Sequence, residues 1–209
     1  MKYFIAAILL LGSIQCSAQF NKGDKVLGGT FGFNTAKSEN NQYTPMTSGN
    51  SSFGIYPNFG ILVNSNLEIG GQLGYTWSRD EWDAVGGSND RKSNSWTARL
   101  YTQRYFMISD KFLFSLVGSI SYGWSKEKTS MTNQIETIEQ ENKWTNFGFA
   151  VTPTFIFFPS PNWAVQASIG NLNYTHSKNT TTDDASNSFG MNYGSLGFGL
   201  AYYFRGEVD

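Results

Sequence analysis

One cysteine and one histidine in 209 residues leave little raw material for thiol, disulfide or imidazole chemistry. Cys16 lies in the apolar leader and His176 stands alone, so a transition-metal site, which needs several N or S ligands together, has no candidate set. Charge is scarce as well. Asp, Glu, Lys and Arg make up 15% of the chain, against about 25% in soluble domains. Their near balance, net −1, offers no basic face for nucleic acid. Beyond the first dozen residues there is no long apolar run, so no helix is available to cross a bilayer. If the remainder enters a membrane it must do so as a closed barrel, because only helices and barrels satisfy every backbone group in lipid.

The leader itself has the form of a secretory signal: Lys2, an apolar stretch from Phe4 to Gly12, then small residues at Cys16 and Ala18. It is too short to span a bilayer. Cleavage after Ala18 divides the chain into a signal, residues 1–18, and a mature domain, residues 19–209, of 209 − 18 = 191 residues with no thiol. Acylation of Cys16 as a lipoprotein is disfavoured, because Gln15 is not the small residue expected before it.

What is present in quantity is glycine (22), aromatics (16%) and strict alternation. In Ser195 to Phe204 the residues Leu196, Phe198, Leu200, Tyr202 and Phe204 alternate with mostly small ones (Ser195, Gly197, Gly199, Ala201 and the larger Tyr203), a period of two and therefore a strand. One face is apolar throughout, and the other is too small and uncharged for an ordinary soluble surface. That combination suits a lipid-facing exterior and a narrow packed lumen. Similar stretches occur at 26–34, 52–63, 67–78, 96–108, 112–124, 145–158 and 163–175. The connections between them alternate long and short, with short turns at 64–66, 109–111 and 159–162 and polar loops at 35–50, 80–93, 125–142 and 177–188. This predicts an all-β, eight-stranded, antiparallel up-and-down transmembrane barrel with both termini periplasmic and long loops outside.

A shift of 96 positions carries Phe53, Ile55, Pro57 and Phe59 onto Phe149, Val151, Pro153 and Phe155, so one four-stranded unit is used twice. The phase slip between Ile169 and Leu172 predicts a bulge near Gly170, and Pro57 and Pro153, unable to donate to a ladder, predict bulges of their own. Arg104 falls in the lipid phase close to a short turn, where snorkelling relieves it. Trp77, Trp96, Trp124 and Trp144 near the long connections and Trp163 after a short turn fit aromatic girdles at the two interfaces.

Inward-phase polar residues form the candidate site. Glu68 and Arg99 are the conspicuous charges, surrounded by Asn58, Gln72, Tyr101, Gln103 and Gln166. A Glu68–Arg99 pair inside this network would block the lumen. Separate solvation of each is the competing arrangement, since Glu68 begins its strand while Arg99 lies nearer the other end. No catalytic, cofactor-binding or metal-binding set is assigned. His176 has Ser177 beside it, but adjacent strand residues point to opposite faces.

The signal ending Ser17-Ala18-Gln19, the early Val26-Leu27-Gly28-Gly29, Arg104-Tyr105-Phe106 before a short turn, the strands of Pro57 and Pro153, and the final Gly199-Leu200-Ala201-Tyr202-Tyr203-Phe204 together resemble the small outer-membrane β-barrel domain proteins of the Bacteroidetes type. These are similar to the OmpX, OmpA-barrel and opacity-protein group. The resemblance implies the outer membrane as location, and membrane lipid and lipopolysaccharide as surroundings. It also implies assembly by the barrel-assembly machinery through a terminal aromatic, here Phe204 followed by a tail from Arg205 to Asp209. A monomer without cofactor is expected. The function read from this is non-enzymatic, an envelope-structural or surface-interaction role for a plugged barrel; the alternatives are a narrow solute or ion pore and a lipid A-modifying barrel enzyme.

Overall fold

The computed structural model describes residues 20–40, 46–133 and 135–206. The predicted signal, its cleavage point and Cys16 lie outside the described residues, as do the last three of the tail. Among the described residues eight strands form a closed antiparallel barrel in simple sequence order. They are β1 (Lys25–Asn40), β2 (Met46–Asn64), β3 (Leu67–Ala84), β4 (Gly87–Met107), β5 (Phe112–Asn133), β6 (Thr137–Phe157), β7 (Trp163–Asn179) and β8 (Ala185–Phe204).

The alternation sorts as expected. Leu73, Leu100, Leu196 and Phe198 are each more than 60% exposed on the outer wall, and Leu116 on the same wall is 40% exposed. Val26, Leu62, Leu113, Ile156 and Tyr203, one residue out of phase, are buried inside. A one-residue slip would exchange the two sets, so the pattern fixes the register strongly.

The predicted long loops are largely strand. About ten residues suffice to cross a membrane at a tilt, yet β5 has 22 and β4 has 21. At 80–93 the ladder runs on, with Asp80 opposite Arg91 and Asp83 opposite Ser88, to a two-residue turn at Val85-Gly86 where Gly86 takes φ +112°. β5 and β6 continue through 125–133, and β7 and β8 pair up to Lys178–Ala185. Apolar alternation stops at these levels because there is no core or lipid beside them, but the backbone ladder does not need it. Charges support it instead. Arg79 makes a two-point contact with Asp90 (Nε to Oδ1 3.0 Å, Nη2 to Oδ2 2.9 Å), and Lys126 meets Glu141 at 2.8 Å. These pairs, with the Arg79 hydrogen bond foremost for Asp90 and the Lys126 hydrogen bond for Glu141, hold both carboxyls below their usual pKa.

The bulge near Gly170 is present: register shifts occur on both sides of β7, between Val151 and Thr154 of β6 and between Ile169 and Asn171. Gly170 has φ +65°, and a Cβ there would lie 2.1 Å from the Asn192 carbonyl oxygen. Pro153 sits opposite this shift. Pro57 does not produce one, contrary to the sequence expectation: Ile55 faces Tyr75 and Asn58 faces Gln72 in the same register. The proline interrupts the ladder without an inserted residue because its other neighbour is Gly29, where a Cβ would sit 3.2 Å from Pro57 Cα.

The closing seam is short. β1 and β8 pair only from Lys25–Phe204 to Thr30–Gly199. Among the described residues Phe31, Gly32 and Phe33 are not paired with Phe198, Gly197 and Leu196.

Candidate functional site: the barrel lumen

The end of the barrel with the short turns is sealed by a segment that carried no periodic signal. Phe20 is buried against Tyr105 (ring centroids 4.7 Å apart), Tyr203 (5.2 Å) and Phe158 (5.8 Å), with the Arg205 guanidinium 5.9 Å from its ring. Asp24, almost fully buried, ties this segment down by accepting from the amides of Asn21 (2.9 Å) and Gly206 (3.1 Å). Leu62, Leu113, Ile156 and Ala164 complete the apolar floor. The tail that seemed to trail past the final strand is thus, through Arg205 and Gly206, part of the floor.

Directly above lies Glu68. It is 1% exposed and accepts from the Tyr101 hydroxyl at 2.6 Å and from the Tyr105 hydroxyl, which also lies 3.1 Å from that of Tyr203. Asn58 donates to Tyr101 at 3.1 Å, and Gln103 donates to Ser115 at 2.9 Å. Space for this cluster comes from two facing glycines, Gly60 and Gly70. A Cβ on Gly60 would lie 1.9 Å from Glu68 Oε1, and one on Gly70 would lie 2.4 Å from the Tyr101 ring. Two tyrosine hydroxyls thus do for Glu68 what pairing with Arg99 would have done.

Arg99 is not that partner. Glu68 stands opposite Gln103 and Arg99 opposite Gln72, four residues further along, about 13 Å at the rise of a strand. Instead Arg99 borders a polar chamber of about 130 Å³, to which Asn58, Gln72, Tyr101, Gln103 and Gln166 also contribute. Its Nε is buried with no hydrogen-bond partner among the described residues. Six of the seven predicted lumen residues therefore line one chamber, and the seventh, Glu68, sits in the satisfied cluster beneath it, while the Arg99 Nε above has no partner among the described residues. Tyr105, Tyr203, Phe20 and Asp24 were missed. The two tyrosines read as ordinary wall residues; their inward phase was the available signal.

The tryptophans divide too. Trp77, Trp96, Trp124 and Trp163 share the outward phase, Trp96 meeting Tyr75 in a tilted contact with ring centroids 4.8 Å apart. Trp144 does not. It pairs with Ser125 in the phase of Asn146 and Gly148, so it faces inward near the rim. A strand read only by its nearest loop does not reveal which side such a residue takes. Arg104 lies outside next to a short turn, 5.6 Å from the Phe106 ring. His176 Nδ1 lies 2.8 Å from Asn187 Oδ1, while Asp183 is held by Lys178 at 2.6 Å.

The closed barrel agrees with the family comparison: the model of the outer membrane protein beta-barrel domain matches residues 4–204. The chain belongs to this family. Its place is accordingly the outer membrane, and the exposed Leu and Phe wall faces lipid. A search of curated proteins returns no match. Among solved structures, outer membrane protein OprG from Pseudomonas aeruginosa is similar at 11% identity and TM-score 0.53, covering 91% of this chain and 100% of that one. Ail, the attachment invasion locus protein of Yersinia pestis, aligns at 19% identity and TM-score 0.44, covering 88% and 99%. The outer membrane protease OmpT from Escherichia coli aligns at 13% and 0.43, covering 87% and 93%. The likeness to OprG, at 11% identity, concerns the fold alone.

Proposed function

We propose that this protein is a non-conducting, non-enzymatic outer-membrane barrel whose extended β-hairpins stand above the outer leaflet and serve envelope structure or contact with surface partners. Both termini are periplasmic in this reading, since the short turns and the Phe20 floor share one end and the hairpins the other. Lipopolysaccharide surrounds the hairpin bases, and the Trp77, Trp96 and Trp124 rings lie at the outer interface.

The observation that carries the reading is the floor. Phe20, Tyr105, Phe158 and Tyr203 occlude the lumen at one end, and Glu68 with its tyrosines fills the level above, leaving no continuous aqueous path there. Eight-stranded barrels have room for side chains and little else. Reconstitution in planar bilayers is expected to give no discrete single-channel currents from the native chain. Steady channel openings would establish the pore reading in its place. Limited proteolysis of intact cells is expected to cut near Lys128 and Arg91 while sparing Lys111 at a short turn; the reverse pattern would invert the orientation.

A further inference from the structure

The seam between β1 and β8 separates two features that belong together. Its paired part, six residues on each side, runs about 20 Å along the strands, which at a tilt of about 45° covers little more than half of an apolar band about 25 Å tall. Above Thr30 the two edges part within the level of the lipid-phase residues Phe31, Phe33, Leu196 and Phe198. Gly32, on the lumen phase of β1, is exposed, and a Cβ built on it meets no atom within 4 Å. Unpaired strand edges facing lipid are costly and are tolerated where they border a polar cavity.

Such a cavity lies behind this one. The Arg99 chamber is walled on the seam side by Thr30, Gly197 and Gly199. Outside the seam lies an apolar groove of about 460 Å³, lined among others by Phe31, Ile55, Phe198 and Leu200, and it shares Thr30 and Gly199 with the chamber. Arg99 is the one charged residue lining the chamber, and its Nε has no partner among the described residues. The Arg99 Nε, a cationic donor shut off from solvent and left without a protein partner on a half-buried side chain, calls for an acceptor, and an anion supplies one. The chamber has room for a carboxylate or phosphate-sized group with a little water, not for a sugar-bearing lipid head.

We propose that the β1–β8 opening is a lateral portal that binds a single-chain amphiphile with an anionic head, the head at Arg99 inside the lumen and the alkyl chain in the groove outside. This goes beyond the display role and does not depend on it, because it uses the barrel wall and not the hairpins or the floor.

The test is a titration of the purified full chain, folded in neutral dodecyl maltoside micelles, with a fluorescent hexadecanoic acid. Saturable one-to-one binding is expected, with unlabelled hexadecanoic acid competing at least about tenfold better than hexadecanol, the ratio that loss of a charge-assisted hydrogen bond implies. Arg99→Gln removes that discrimination between acid and alcohol while the barrel remains folded by circular dichroism. Gly32→Trp, placed where a Cβ meets no atom within 4 Å, abolishes binding, and Gly32→Ala leaves it unchanged. The proposal is overturned by partitioning no greater than into empty micelles, by equal competition from acid and alcohol, or by native affinity in Arg99→Gln or Gly32→Trp. A dimer that pairs the free edges and excludes the probe overturns it too. None of these outcomes bears on the conductance measurement, so the two readings fail separately.

Discussion

Glu68 shows how one side chain decides what its neighbours must be. Its carboxyl occupies the space that a methyl group on Gly60 would need, and its two tyrosine donors leave it satisfied with no cation beside it. Gly60→Ala is expected to lower unfolding stability by about 1–3 kcal/mol, the usual cost of overpacking, read from urea titration in micelles. If Glu68→Ala on the same background does not restore part of the loss, the collision is not its cause. Phe20→Ala empties the centre of the floor, and a loss of about 3–5 kcal/mol is expected from the general cost of deleting a buried phenyl ring. An unchanged urea midpoint would show that the plug contributes nothing to stability. Much of this was invisible in the sequence for a physical reason. Phe20 precedes the first strand and has no period to betray it, and Tyr105 and Tyr203 differ from lipid-facing tyrosines only by phase.

At the scale of the element, the eight strands and their short turns were legible because a membrane barrel imposes a period of two at every residue between its interfaces. That constraint ends at the interface, and legibility ended with it. The segments 80–93 and 125–142 read as loops because alternation ceased, whereas cross-strand charge and the backbone ladder carry them on as ribbon. The Arg79 pairing supplies a pH dependence. Asp90 titrates lower in the folded hairpin than in an unfolded one, so its contribution is present above the ordinary carboxylate range, near pH 4, and is lost as pH falls through the depressed value. Proteolytic nicking of the 79–92 hairpin is expected to rise in that acidic window, and to be higher already at neutral pH in Asp90→Asn. Because the pair is surface-exposed, high salt should narrow the difference. The β7 bulge was read correctly, its signal being a slip in phase at a glycine. Gly170→Ala is expected to destabilise the barrel by about 1–3 kcal/mol, given the positive φ and the approach to the Asn192 carbonyl; equal stability would mean that the bulge migrates.

For the molecule as a whole, fold class followed from composition: too little charge for a soluble exterior, too little apolar length for a helix, and small residues in alternate positions; the family was suggested by the resemblance of particular motifs, such as Gly199 to Phe204. The inward phase of the lumen residues was legible and their arrangement was not. All seven lumen residues face one interior, but which of them meet depends on register across β3 and β4, and a single strand does not reveal its offset from the next. Of the two arrangements open for Glu68 and Arg99, pairing fails on four residues of stagger.

The tie between Asp24 and the Gly206 amide spans 182 positions of sequence, and Phe20 rests on Tyr203 from the opposite extremity of the chain. Neither contact exists until the eighth strand has arrived, so a nascent barrel missing its finish has an unstoppered base. Solvent access at Tyr203 is therefore expected to be lost only once the last strand has docked, which pulse-labelling of a Tyr203→Cys variant during refolding would read.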